Sequence, residues 1–245
     1  MIFLDFDGVL FDTVREAYSV AVITSGKYNT IDEIDFEAQQ YLNFKKLRYL
    51  ISPAWNYKYL LEELELSEDI NTIKENFLKK IKTVSKNNYE DFETKFFNTR
   101  NYLKKEEYGK WFRLNTPFPF LSEIKFLFYN FKNLVYIVTT KDKETVLKLL
   151  NLENIEFDSN RIFDKEDYEK FSNKKSIIKK LIKKNECSIF IDDSDKHIKD
   201  CSKIKGLKCF QPDWGYVSLD SKTVNHDLII NEINSLIDRR GKCIN

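Results

Sequence analysis

Asp5 and Asp7 stand two residues apart directly after the apolar run Ile2-Phe3-Leu4. Side chains alternate faces along a strand, so two carboxylates at this spacing point the same way. Gly8 comes next and permits a sharp turn, having no Cβ to clash. Same-facing carboxylates at the carboxyl edge of a buried strand repel each other unless a cation or a proton lies between them. The arrangement suits magnesium-assisted phosphoryl chemistry, in which one carboxylate oxygen attacks and its neighbour moves protons.

Other apolar runs end in groups that complement this pair. Leu134-Val135-Tyr136-Ile137-Val138 is followed by Thr139, Thr140 and Lys141, and Ser188-Ile189-Phe190-Ile191 by Asp192, Asp193, Ser194 and Asp195. A helix beginning near Asn173 brings Lys174 and Lys175 at its amino end. Ligands of open parallel sheets bind beyond the carboxyl ends of the strands. Carboxylates, a hydroxyl and an amine are therefore expected along one sheet edge. Of the two lysines Lys174 is preferred, because Ile178 and Leu181, four and seven residues on, give it a buried helix face; Lys175 is the alternative.

Two textures supply the elements that must position these groups. From about Thr13 to Arg113 the pattern is helical, with apolar residues at three- and four-residue spacing in Phe36-Ala38-Tyr41-Leu42-Phe44-Leu47-Leu50 and in Ile70-Ile73-Phe77-Leu78-Ile81. Ser67 with Glu68 and Asp69 reads as a helix start. From about Thr116, short apolar runs, the last being Leu207–Phe210, alternate with amphipathic stretches. Those stretches predict helices over about 120–131, 143–150, 174–184, 196–204 and 227–237. Such alternation implies a parallel sheet covered on both faces. The N-terminal strand belongs with strands more than a hundred residues later, so the helical span between them reads as an insertion. Thr116-Pro117-Phe118-Pro119 reads as the return linker, since proline breaks helix. The expected fold is α/β: a Rossmann-like parallel-sheet core from residues 1–13 and 116–245, with residues 14–115 as an inserted α-helical domain.

Composition excludes several classes. With 245 residues, 42% of them hydrophobic, the chain can bury a sizeable core. Forty basic and 39 acidic residues leave a net charge of +1, which supplies no field for a nucleic-acid or membrane partner. Lysine runs such as Lys179-Lys180 and Lys183-Lys184 read as solvated helix faces. Cys187, Cys201, Cys209 and Cys243 form no C-x-x-C pair and have only two histidines beside them, so a zinc site is not expected. Cys187 and Cys209 adjoin strands and are expected to be buried free thiols of a reducing compartment. No apolar run approaches a membrane span, and the chain enters its first strand without a basic leader. A cytoplasmic location is expected.

The same segments resemble the motifs of the haloacid dehalogenase superfamily of phosphohydrolases. Asp5-Phe6-Asp7-Gly8-Val9-Leu10-Phe11-Asp12-Thr13 is similar to its first motif and Val135–Lys141 to its second. Lys174 or Lys175 can supply the third, and Ile189–Ser194 is similar to the fourth. The helical insertion resembles the cap of the phosphoglycolate phosphatase and β-phosphoglucomutase branch, to which Asp213-Trp214-Gly215-Tyr216 is also similar. The resemblance implies an aspartyl-phosphate route. Asp5 is the nucleophile, ionised at its ordinary pKa of about 3.9. Asp7 is the general acid and then base, its ionisation disfavoured by nearby Asp5. An acid at this second position favours phosphate esters over carbon–halogen bonds. The implied magnesium ligands are Asp5, Asp193 and the backbone carbonyl of Asp7, with Asp192 binding through water or orienting Asp193. Thr139, the amides after it at Thr140 and beyond, and the lysine would hold the phosphate.

A small phosphorylated metabolite is the implied partner. A phosphomutase shares every catalytic residue named, and a retired phosphate-binding module would use the same pocket. Some residues carry blander expectations. Asp195 either supplies a further acidic contact or caps the following helix. His197 is expected to be an ordinary helix residue, His226 a helix start, and Asp12 an organiser of the turn. Tyr49, Trp55, Tyr57, Trp111 and Phe112 are expected mostly in the core of the helical insertion, with facing the substrate as the alternative for each. Arg48, Arg100 and Arg113 are expected in surface ion pairs, with gripping an anionic group as the alternative.

Overall fold

The computed structural model describes residues 1–84, 90–182 and 186–241. It divides into two compact units, one of Met1–Asp12 with Thr116–Asn245 and one of Thr13–Asn115. In the first unit, β1 (Ile2–Leu4), β4 (Val135–Val138), β5 (Ile162–Phe163), β6 (Ser188–Ile191) and β7 (Leu207–Phe210) pair in the order β5-β4-β1-β6-β7. Every pairing is parallel. Ile2, Phe3, Leu4, Val135, Ile137, Val138, Phe190 and Ile191 are fully buried, as expected where both faces of a parallel sheet are covered. The covering helices are α7 (Pro119–Asn130), α8 (Lys143–Leu152), α9 (Lys165–Phe171), α10 (Lys174–Leu181), α11 (Asp195–Cys201) and α12 (His226–Gly241).

Very short elements leave no periodic trace. The two residues of β5 were not legible. Thr116-Pro117 is not a plain linker: it forms β3 (Thr116–Pro117), antiparallel to β2 (Phe11–Asp12). Pro119 opens α7, where its missing amide hydrogen costs nothing. The helix expected to end at 184 ends at Leu181, and Lys183-Lys184 lie outside the described residues. Cys187 is exposed, not buried, because it precedes β6 instead of joining it. Cys201 is buried and Cys209 half-buried, and burial pushes both thiols up to about 12, so they stay protonated and inert. Cys243 lies outside the described residues. No helix among the described residues is long and apolar enough to cross a membrane.

The second unit is helical: α1 (Val14–Thr24), α2 (Gln39–Leu47), α3 (Asn56–Leu66), α4 (Ile70–Ile81), α5 (Glu90–Glu106) and α6 (Tyr108–Arg113). Asp69 caps α4 by accepting from the Thr72 amide at 2.8 Å. Tyr57, Phe44 and Phe96 stack in its core. Arg100 is no anion grip but one side of a buried pair. Its Nε and Nη2 donate to the two oxygens of fully buried Glu16 at 2.7 and 2.9 Å, and Trp111 Nε1 donates to Glu16 Oε1 at 3.1 Å. A carboxylate carrying a bidentate guanidinium and an indole is satisfied, which is what burial of that charge requires. Arg48 lies over the ring of Tyr57, and Arg113 is exposed.

Candidate active site

The sheet ladder runs one residue past β1, β4 and β6, and that extension places the chemistry. Asp5 N donates to Ile191 O at 2.9 Å, Thr139 N to Phe163 O at 2.9 Å and Asp192 N to Phe210 O at 3.2 Å. Asp5, Thr139 and Asp192 are thus aligned at the carboxyl edge, with β1 flanked by β4 and β6. Beyond Asp5 the chain turns tightly: Leu10 N and Phe11 N both donate to Phe6 O, and Phe6 and Phe11 stack beneath the turn at 4.8 Å.

Lys174, at the first turn of α10, reaches the centre of this edge. Its Nζ lies 2.8 Å from Asp5 Oδ1 and 2.8 Å from Asp192 Oδ2. Lys174 is 1% exposed, whereas Lys175 is half-buried and pairs with neither carboxylate. Asp5 Oδ1 also accepts from Phe6 N at 2.7 Å, and among the described residues Oδ2 accepts no hydrogen bond. One carboxylate oxygen is therefore anchored twice and the other is left for chemistry.

Charge is unevenly shared. Burial pushes Asp5 up from 3.8 to about 6, Lys174 acting against the rise and Asp192 adding to it. The nucleophile candidate therefore does not keep the ordinary acidity expected from its type. Asp192 is desolvated as well, but Lys174 and His197 outweigh that and hold its carboxyl well below the usual range. Burial disfavours the Lys174 ammonium, yet Asp192 and Asp5 raise it above its ordinary value. At neutral pH this is an ammonium held between two carboxylates.

His197 is not an ordinary helix residue. Its Nδ1 lies 3.1 Å from each oxygen of Asp192, so α11 delivers a ring to the buried acid that its neighbours Asp195 and Lys196 do not approach. Asp195 faces Ser221 at the surface, and Ser194, not Asp195, caps α11. Asp5, Asp192 and His197 each offer a ligand atom within 4.8 Å of the others, and this is the group of that kind found among the described residues. Lys174 already supplies a cation to both of its carboxylates. With both oxygens engaged, by Lys174, His197 and Ser194 N, Asp192 is saturated.

Asp7 and Asp193 are held by other partners. Asp7 Oδ1 accepts from Nζ of the buried Lys141 at 3.1 Å. Thr139 Oγ1 accepts from Lys141 N at 3.2 Å, which leaves its proton to donate, while Thr140 is exposed. Asp142 caps α8 through Thr145 N at 2.9 Å. Asp193 Oδ2 accepts from Tyr216 N at 2.9 Å and its carbonyl from Gln211 Nε2 at 2.8 Å. Tyr216 also donates its hydroxyl to Asp12 at 3.0 Å, and Trp214 Nε1 donates to Val9 O at 3.2 Å. Asp12 thus ties the turn to the segment after β7.

Two glycines let Asp193 close on the turn. Gly8 has φ +81°, and a Cβ there would lie 2.1 Å from Asp193 Oδ2. A Cβ on Gly215 would lie 2.6 Å from Asp193 Cβ and 2.7 Å from Gly8 O. Gly8→Ala combines left-handed strain with a collision that moves the carboxylate. It is expected to lower kcat roughly 100-fold, since displacements near 1 Å carry that effect. Steady-state assays alongside urea unfolding check it: a variant with unchanged kcat would show that this approach is not needed.

No protein-family model matches the sequence, nor does any curated protein sequence. Solved structures do match. A haloacid dehalogenase-like hydrolase family protein from Streptococcus pneumoniae superposes with a TM-score of 0.59 at 16% identity, over 95% of this chain and 97% of that one. A protein described as a phosphoglycolate phosphatase from Lactobacillus delbrueckii gives 0.50 at 11% identity, over 93% and 95%. Protein tyrosine kinase A from Mycobacterium tuberculosis gives 0.51 at 13% identity, over 96% of each. The chain has the haloacid dehalogenase-like fold: a Rossmann-like parallel α/β core carrying a helical insertion. Proteins described as a hydrolase and as a kinase share it, so the fold alone does not fix the reaction.

Proposed function

We propose that this protein is a phosphatase that hydrolyses a small phosphomonoester through an aspartyl-phosphate on Asp5. The observation that carries the reading is the state of the Asp5 carboxylate. One oxygen is fixed by Phe6 N and Lys174, the other accepts no hydrogen bond among the described residues, and a second acid lies two residues on.

Asp5 Oδ2 attacks phosphorus as the ester bond breaks, and Asp7 gives a proton to the departing alkoxide. Asp7 then takes a proton from the water that opens the aspartyl-phosphate, and phosphate and free Asp5 result. Lys174 balances the charge that builds on the phosphoryl oxygens while holding Asp5 in place. Thr139, its oxygen already accepting from Lys141 N, directs its proton toward the phosphate.

Asp5, the Asp7 carbonyl and Asp193 would hold magnesium. All three are oxygen donors, as a hard divalent cation prefers, and the missing Cβ of Gly8 is what admits the Asp193 carboxylate to the turn. When bound, the ion supplies positive charge for the phosphoryl oxygens and for the clustered acids. Asp192 holds Lys174 and His197 and stands behind the ligands.

The test is release of inorganic phosphate from p-nitrophenyl phosphate and from a panel of phosphorylated metabolites. Turnover is expected with magnesium, loss in excess chelator, and recovery on adding magnesium back. Interconversion of hexose phosphates without phosphate release would assign a mutase instead, and phosphate binding without turnover a retired module.

A further inference from the structure

His197 has no part in the scheme above, yet it touches the most buried acid of the site. Two hydrogen-bond acceptors at 3.1 Å would repel, so the contact with both Asp192 oxygens requires a proton on Nδ1. We propose that His197 is a positioning residue: its Nδ1–H secures Asp192 and so keeps Lys174 shared with Asp5. The proposal rests on the reading of Asp5 as nucleophile and deepens it.

The need follows from counting charges. Asp5 and Asp192 are 7% and 0% exposed and have one ammonium between them, 2.8 Å from each. Two desolvated carboxylates compete for that one cation. If Asp192 depended on Lys174 alone, it would draw the ammonium from Asp5, because it is the more deeply buried of the two. The donors on Asp192 relieve the contest: Ser194 N on Oδ1 at 2.9 Å and His197 across both oxygens. Ser194 N comes from the backbone of the strand-to-helix turn, so any residue type there would supply it. His197 is the side-chain donor, and its position follows from the fold. Ser194 caps α11, His197 is the third residue of that helix, and its ring turns back to the strand end instead of outward. The ring is 17% exposed with Tyr168 at 6.3 Å beside it, enclosed enough for one donor geometry to persist.

Such supporting donors are worth about 10- to 100-fold in comparable sites. The experiment compares wild type, His197→Leu and His197→Asn in p-nitrophenyl phosphate hydrolysis with magnesium, with Asp5→Asn as reference. In parallel, nitrogen-edited spectra of histidine-labelled wild type read the protonation of Nδ1. The chain has two histidines, so His226→Gln assigns the signals. His197→Leu is expected to lose about 10- to 100-fold in kcat with little change in KM. His197→Asn, whose amide nitrogen can occupy the Nδ1 position and donate, should recover most of that loss. Nδ1 should carry a proton whose signal moves in Asp192→Asn. Wild-type kcat in His197→Leu, an effect confined to KM, no recovery in His197→Asn, or an unprotonated Nδ1 would each overturn the proposal. The spectrum decides the matter even if His197→Leu fails to fold. An active Asp5→Asn would instead remove the nucleophile reading, and the Nδ1 signal would still report on the His197–Asp192 contact.

Discussion

Asp5→Asn is expected to abolish turnover and yet to leave a protein at least as stable as wild type at neutral pH. Loss of a nucleophile typically costs four or more orders of magnitude in kcat, so hydrolysis of p-nitrophenyl phosphate should fall by at least about 10⁴-fold. The stability effect runs the opposite way for a reason visible in the site. Burial pushes the Asp5 carboxyl from 3.8 to about 6, so the folded state prefers this group protonated. Stability from that preference is complete below pH 3.8 and is lost as pH rises through about 6. Above that, the ionised side chain destabilises the fold by about 3 kcal/mol, the free energy that matches the shift. Asparagine removes the charge but keeps an oxygen to accept from Phe6 N and Lys174. Urea unfolding of both proteins in chelator should show the variant gaining on wild type between pH 4 and pH 7. A constant difference across that range would contradict the account. Magnesium should stabilise wild type more than the variant, because the ionised carboxylate is the form that a cation holds.

How the sequence foretold this site depends on which physical signal each residue leaves. Asp5, Thr139 and Asp192 are legible because each ends an apolar run, and parallel strands in register bring their next residues to one edge. Lys174 is legible over Lys175 from helix periodicity: Ile178 is fully buried and Leu181 packs against the same core cluster. The parallel core followed from alternation of strand and helix. What escaped was side-chain direction at helix starts and in loops. His197 reads as an ordinary helix residue, because periodicity describes the helix body and not a first turn folded against a strand end. The pairs Lys141–Asp7 and Tyr216–Asp12 join residues 134 and 204 positions apart, which no local pattern encodes. Asp5's raised pKa is a property of enclosure, and a residue's type carries only its ordinary value. Arg100 forms the ion pair its type suggests, but a buried one, and nothing local marks Glu16, 84 residues away, as the partner.

Lys174→Met is expected to be the most destabilising single change at this edge. It keeps the length and apolar stem of the side chain and removes only the ammonium. Asp5 and Asp192 then face each other across a buried space with no cation between them. Breaking a buried pair from one side costs about 3–5 kcal/mol, because the remaining charge is left desolvated. Here two charges are left: Asp5 keeps the Phe6 amide, and Asp192 keeps the Ser194 amide and His197. The sign with pH follows from the raised carboxyls that result. Asp5 would titrate still higher without the ammonium, so the variant's deficit should be largest above neutrality and shrink as acid protonates the pair. Urea unfolding between pH 5 and pH 8 measures this directly. Adding Asp192→Asn to Lys174→Met should restore part of the lost stability, since one of the two opposed charges disappears; independent sites would show simple addition. The double variant should remain inactive, because the phosphoryl charge still lacks its ammonium. Recovery of stability without recovery of turnover would separate what Lys174 does for the fold from what it does for the reaction. Simple additivity in stability would mean that the two acids do not compete for Lys174 at all.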